Sequence, residues 1–356
     1  MLLFYIYCCF LLLRLSFWFI LSKKLEIRKF LCYNKTWYFL NEVFIIMMYV
    51  ILIIGFILLI KGADFFVEGS SSTAKMLKVP SLIIGMTIVA MGTSLPEASV
   101  SISASLAGKN SLSISNAVGS NIFNLMVVIG LCALFAAVPV NRETLKRDLP
   151  LSLIVAGMLL GLGAVGNEIS RFDGVILSVI FAVFLFVMVK SAMNSRKNGS
   201  AEQEEYKIIP VWKCIVFMIG GVAAIIIGGK MVVNGASDIA RSFGMSDTLI
   251  GMTIVAIGTS LPELVTSVVA VRKKEIDMAL GNAVGSNIFN ILFVLGIAAA
   301  ISPMTFTTEN LIDTAVLIGM TILVFFFGLS KKKLVRWQGA VMLLLYCAYT
   351  AYLFIR

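Results

Sequence analysis

The sequence predicts an all-α polytopic membrane protein, with ten transmembrane helices arranged as two inverted five-helix repeats and broken helices at the bilayer midplane. Three observations carry that expectation. The first is composition: of 356 residues, 60% are hydrophobic and 13% charged, and the mean hydropathy is +1.00. A soluble chain holds about 45–50% apolar residues and about a quarter charged. The second is a duplication. Residues 84–97 read IGMTIVAMGTSLPE and residues 250–263 read IGMTIVAIGTSLPE, while NAVGSNIFN occurs at 116–124 and again at 282–290. Both pairs share an offset of 166 residues, from 97 to 263 and from 124 to 290. The third is the placement of positive charge between the apolar runs.

The runs are about 20 residues long, which is what a helix needs to cross a hydrocarbon core of about 30 Å. In order they fall at 44–62, 68–95, 113–138, 149–166, 172–192, 211–233, 246–270, 276–300, 310–329 and 335–354. Residues 44–190 make the first repeat and 211–356 the second. Between them, 191–210 is a linker whose stretch SAMNSRKNGSAEQEEYK is rich in Ser, Asn, Gly and Glu and reads as flexible. Residues 1–43 stand apart. Their apolar stretch carries Arg14, a basic segment follows, and no small-residue cleavage site appears. An extra span, an interfacial segment and translation upstream of a start at Met47 or Met48 are the readings. The last is favoured, because an eleventh span would put Lys23–Lys29 outside.

Numbering the loops by the spans they join, eighteen lysines and arginines lie in or beside odd-numbered loops. Four (Lys109, Arg171, Lys230, Arg241) lie in even-numbered ones. Positive charge stays cytoplasmic, so the linker is expected inside and both termini of the ten-span core outside the cell, or inner, membrane. Five spans per repeat then turn the second repeat upside down, a recurring plan of secondary transporters. The net charge of +10 is thereby a topology signal, and no nucleic-acid partner is implied. Six cysteines without a CxxC pair, and no histidine, argue against a disulfide framework or zinc site, and no cofactor is expected.

The chemistry sits in the duplicated blocks. In GTSLPE, at 92–97 and 258–263, proline removes a helix hydrogen bond and glycine weakens the turn before it. The carbonyls expected to be freed are those of Ala90 and Met91, and of Ala256 and Ile257. Thr93, Ser94, Thr259 and Ser260 add hydroxyls at the same level, and Glu97 and Glu263 add one carboxylate each. A membrane-centre acid costs between about 2.5 and more than 10 kcal/mol, so it normally faces a polar pathway. NAVGSNIFN contributes Ser120, Asn121 and Asn124, then Ser286, Asn287 and Asn290. Ser120 and Asn124 share one helix face, as do Ser286 and Asn290, and Asn116 and Asn282 extend that face. Such a stripe suits cation ligation, with interhelical hydrogen bonding as the alternative. The shared glycines Gly85, Gly251, Gly119 and Gly285 fit close helix approach.

Every candidate ligand is oxygen, which selects hard cations; a flexible multidentate set suits calcium, with its 6–8 oxygens, better than magnesium. Sodium, of similar radius, can share such a site. Two carboxylates balance one divalent ion, and competition between the ions gives exchange. No Walker A motif appears, so an ion gradient is the expected drive.

Paired GTSLPE and GNAVGSN blocks resemble the two alpha-repeats of the sodium/calcium exchanger family, within the wider cation/calcium antiporter superfamily. The resemblance covers residues 44–356 and is nearest to the short prokaryotic members. It implies sodium-coupled calcium movement by alternating access, with Ca2+ and Na+ as transported substrates. It maps acidic ligands onto Glu97 and Glu263, and hydroxyl or carbonyl ligands onto Ala90, Thr93, Ser94, Ser120, Ala256, Thr259, Ser260 and Ser286. An amide ligand falls on Asn124. The position of Asn290 is aspartate in some members, including potassium-dependent ones, so asparagine here argues against potassium coupling. The short linker leaves no room for calcium-sensing domains.

The nearest rival is a calcium/proton antiporter, since either glutamate can hold a proton beside its partner. A cation channel is the rival from another class. A hydrolase is disfavoured: HExxH is impossible without histidine, and the chain is not expected to be an enzyme. One chain suffices to build the site in the lipid bilayer, and the sequence does not specify an oligomeric state.

Overall fold

A computed structural model describes residues 35–108, 110–197, 209–245, 254 and 256–355. It divides into two compact units, Met1–Ile51 and Leu52–Arg356. In the first unit the described residues, 35–51, are helical and form the start of α1 (Lys35–Leu77). The reading of 1–43 as an extension falls largely outside the described residues.

In the second unit α1 gives way to a bent pair, α2 (Ser81–Thr93) and α3 (Leu95–Leu106), inclined by 49°. Then come α4 (110–135), strand β1 (Val138–Pro139), α5 (Thr144–Ala164), β2 (Glu168–Ile169) and α6 (Arg171–Lys197). The later part holds α7 (Val211–Ser242), the short α8 (Ala256–Gly258), α9 (Leu261–Arg272) and α10 (Ile276–Ile301). It ends with β3 (Met304–Thr305), α11 (Thr308–Lys331), β4 (Lys333–Leu334) and α12 (Arg336–Ile355). Among the described residues, eight helices and the bent pair are long and apolar enough to cross a membrane. The seventh expected span, 246–270, lies partly outside the described residues.

Several helix ends differ from expectation, among them that of α7, which runs to Ser242 and not 233. The first helix does not stop at 62 but runs to Leu77, so residues 68–77, expected to open the second span, belong to it. Its charged residues Asp64 and Glu68 are satisfied by Lys273 (2.9 and 3.1 Å), so they do not end it. Lys78, in left-handed backbone with φ 55°, and Pro80 end it instead. At the other boundary, residues 191–197 of the expected flexible linker continue α6, and Ser191 accepts a bond from Arg147 Nη1 at 2.9 Å. Residues 198–208 lie outside the described residues.

The core centres on α4 and α10. Residues 120–130 and 278–292 are buried without interruption, whereas α6 and α7 present Phe186, Val189, Ile215 and Ile219 outward, as a lipid-facing surface requires. Glycines set the closest crossings. A Cβ on Gly281 would stand 2.5 Å from the Leu82 carbonyl, and one on Gly85 2.5 Å from that of Met278, so α10 crosses α2 backbone to backbone. Gly285 likewise abuts Met86; at Gly119, by contrast, a Cβ meets nothing within 4 Å among the described residues, so close approach does not explain that glycine. Gly251 lies outside them. The α1 and α7 helices run antiparallel: Gly55 meets Gly228, and Gly62 meets Gly221.

Two ribbons clip the loops. The β1 strand pairs antiparallel with β4 (Val138 opposite Leu334), and β2 with β3 (Ile169 opposite Met304). The β3 strand lies 166 residues after β1, and β4 falls within one residue of that offset after β2, so the pairing is reciprocal between the duplicated halves.

Candidate cation site

Each GTSLPE block folds as a helix that stops at its serine and restarts. Ser94 (φ −84°, ψ 10°) and Ser260 (φ −91°, ψ 5°) are the breaks, and Pro96 and Pro262 lie in the first turn of α3 and α9, where a missing N–H is tolerated. Two of the four carbonyls expected to be bare, those of Ala90 and Ile257, each take a serine N–H. Ala90 accepts the Ser94 N–H at 3.0 Å and Ile257 accepts that of Ser260 at 3.2 Å. A proline withdraws its bond from the residue four back, which is Gly92 or Gly258. Ala256 stands one turn before Ser260, in α8.

Glu97 and Glu263, on the first turns of α3 and α9, are both fully buried. Each is held by a serine from the other half. Ser94 donates to Glu263 Oε1 at 2.7 Å, and Ser260 lies 3.1 Å from Glu97 Oε1. Ser120, on α4, joins the second set, 3.0 Å from Ser260 Oγ and 3.4 Å from Glu97 Oε1. Thr93 donates to Asn282 Oδ1 at 3.0 Å and lies within 3.3 Å of the Val89 and Ala90 carbonyls.

Asn116 and Asn282 do not extend a ligand stripe. Asn116 Nδ2 donates to the Glu97 carbonyl (3.4 Å) and Ser101 Oγ (3.1 Å), and Asn282 Nδ2 to the Glu263 carbonyl (3.3 Å) and Ser267 Oγ (2.9 Å). They are interhelical pins that fix the helix turn carrying each glutamate.

Asn124 and Asn290 open π-helical stretches, Asn124–Val128 and Asn290–Leu295, at the buried centre of α4 and α10. Such widened turns recur at functional sites. Their amide nitrogens are engaged, by Asn287 Oδ1 at 3.2 Å and Asn121 Oδ1 at 3.1 Å. Asn121 and Asn287 carried no distinct signal in the sequence, because an amide reads equally as ligand or as packing.

What remains is a set of buried oxygens. Glu97 Oε2, Glu263 Oε2, Asn124 Oδ1, Asn290 Oδ1, Ser286 Oγ and Thr259 Oγ1 have no hydrogen-bond partner among the described residues. A buried polar oxygen left unpaired is costly, and a buried carboxylate far more so. The hydrogen-bond chains from Ser260 through Glu97 to Ser120, and from Ser94 to Glu263, bring both breaks and α4 together. Among the described residues no three or more His, Cys, Asp or Glu are grouped as a metal site, and the two carboxylates stand among neutral oxygens. Such a donor set suits a hard cation.

The sodium/calcium exchanger protein family matches residues 47–190 and 213–355. The inner membrane protein YrbG of Escherichia coli is 40% identical over 247 residues, covering 68% of this chain and 76% of that protein. The sodium/calcium exchanger MaX1 of Methanosarcina acetivorans is 33% identical, covering 82% of this chain and 94% of that one. Among solved structures, the sodium-calcium exchanger NCX_Mj soaked with 2.5 mM Na+ and 10 mM Sr2+ matches with a TM-score of 0.75 at 37% identity. That match covers 86% of this chain and 99% of the other. This chain belongs to the sodium/calcium exchanger family.

Proposed function

We propose that this chain exchanges Na+ for Ca2+ across the cell (inner) membrane by alternating access, binding its ions at a midplane site centred on Glu97 and Glu263. The remaining ligands are Asn124, Asn290, Thr93, Thr259, Ser94, Ser260, Ser120, Ser286 and the carbonyls of Ala90 and Ala256. One observation carries the reading. Each glutamate is fully buried with one oxygen held by a serine of the other half and the other oxygen free of protein partners among the described residues. Two carboxylates so buried demand counter-charge. One Ca2+, or Na+ ions in its place, supplies it, and competition for the same oxygens couples the two fluxes.

Alternating access follows from two inverted repeats, 44–190 and 211–356, in a ten-span core. The ribbons support the inversion. The β1–β4 pair joins the basic loop after α4 to the basic loop after α11, and β2–β3 joins the loops after α5 and α10. Loops of like parity thus meet, as upside-down repeats require. All ligands come from one chain, so a monomer suffices.

The test is Ca2+ uptake into proteoliposomes. An outward Na+ gradient should drive uptake, and Glu97→Gln and Glu263→Gln should abolish it in protein that remains folded. Near-normal flux in both variants would overturn the site. Uptake driven by a pH step without Na+ would make the partner a proton, and Ca2+ flux without a counter-ion would make the protein a channel.

A further inference from the structure

We propose that Asn287 and Asn121 are positioning residues that decide which end of the Asn124 and Asn290 amides faces the cation. The proposal rests on the site described under the proposed function. A primary amide is ambiguous: its oxygen and its NH2 group are nearly alike in size, and half a turn about the last side-chain bond exchanges them. Facing a cation, the oxygen ligates and the NH2 repels. Apolar neighbours do not choose between the two.

The choice is made here by a chain of polarity that starts at the backbone. Asn287 Nδ2 donates to the Asn121 carbonyl at 3.2 Å, and Asn121 Nδ2 donates to the Asn287 carbonyl at 3.1 Å. A carbonyl only accepts, so these two bonds fix both amides with their Oδ1 atoms turned the other way. Those Oδ1 atoms also only accept. Asn287 Oδ1 takes Asn124 Nδ2 at 3.2 Å, and Asn121 Oδ1 takes Asn290 Nδ2 at 3.1 Å. Asn124 and Asn290 are thereby left with Oδ1 unpartnered among the described residues. All four side chains are buried, so water does not compete for the amides. Each ligand is set by a residue of the other half, and the same bonds tie α4 to α10.

The experiment exploits the fact that a carboxylate has no wrong end. In full-length protein in proteoliposomes, Asn287→Ala should raise the Ca2+ KM of Na+-driven uptake about tenfold, a change of about 1.4 kcal/mol. Asn287→Ala with Asn124→Asp should recover it to within about threefold, because either oxygen of the aspartate now serves. Asn287→Ala with Asn290→Asp adds the same charge where the amide is already set, and should not recover it. The mirror set, Asn121→Ala with Asn290→Asp or Asn124→Asp, should show the opposite partner specificity. Equal rescue by both aspartates would reduce the effect to charge and overturn the proposal, as would no rescue or an unchanged KM. Should Asn287→Ala fail to fold, the mirror set reads the same property. Glu97→Gln is measured alongside. If it retains Ca2+ uptake the site itself falls, and if it abolishes uptake while the asparagine variants are silent, only the positioning role falls.

Discussion

Ser94 Oγ donates to Glu263 Oε1 at 2.7 Å across 169 residues of chain, and Ser260 stands in the same relation to Glu97 at 3.1 Å. Each helix break thus supplies the donor that steadies the other break's carboxylate. A hydrogen bond to a charged group is worth about 1.5–3 kcal/mol. Ser94→Ala and Ser260→Ala should therefore raise the Ca2+ KM of exchange by about tenfold or more. Ser260→Ala should be the more severe, because that hydroxyl also contacts Ser120 Oγ at 3.0 Å. Ca2+ titrations of Na+-driven uptake read both values, and an unchanged KM in either variant removes that serine from the site.

The glycine crossings should set stability. A Cβ at Gly281 would meet the Leu82 carbonyl at 2.5 Å, and backbone cannot move aside as a flexible side chain can. Overpacking of this kind costs about 1–3 kcal/mol. Gly281→Ala and Gly85→Ala are expected to lower the melting temperature in detergent, whereas Gly220→Ala, where a Cβ meets nothing within 4 Å, should leave it unchanged or raise it slightly. Equal melting of all three would contradict the close α2–α10 crossing.

The duplicated acids were legible because a glutamate twice embedded in an apolar run has few structural reasons to be there. The breaks at Ser94 and Ser260 were legible from proline. Of the carbonyls expected to be bare, those of Ala90 and Ile257 each take a serine N–H, and a proline withdraws its bond from the residue four back, Gly92 or Gly258. The long reach of α1 was hidden because Asp64 and Glu68 look like a helix terminus until Lys273, 209 and 205 residues away, arrives to neutralise them. Asn121 and Asn287 could not be told from Asn124 and Asn290 by type, since only three-dimensional neighbours decide which amide binds protein and which faces the site.

The Lys273 contacts give a prediction of their own. Lys273 ends α9, the helix that carries Glu263, and its Nζ reaches Asp64 Oδ1 (2.9 Å) and Glu68 Oε2 (3.1 Å) on α1. Lys273→Glu places like charges at this junction and should alter the maximal exchange rate more than the Ca2+ KM. Adding Glu68→Lys should restore part of the rate. If the rate does not change, these pairs are inert surface contacts, as many are.

Nearby, Glu275 is a more deeply buried partner. It accepts from the Ser71 hydroxyl and lies 3.6 Å from Lys75 Nζ, the two side chains being 7% and 19% exposed. Removing one member of a buried pair strands the other charge, at about 3–5 kcal/mol, whereas removing both avoids that penalty. Lys75→Met should therefore lower the melting temperature clearly, and the double variant Lys75→Met with Glu275→Gln should lose less than Lys75→Met alone. Ser71→Ala should weaken the same carboxylate more mildly, since it withdraws one donor and leaves the cation in place. A double-mutant cycle on melting in detergent gives the coupling directly. Additive losses would mean that Lys75 and Glu275 contribute independently, and that α1 is held to the start of α10 by packing rather than by this pair.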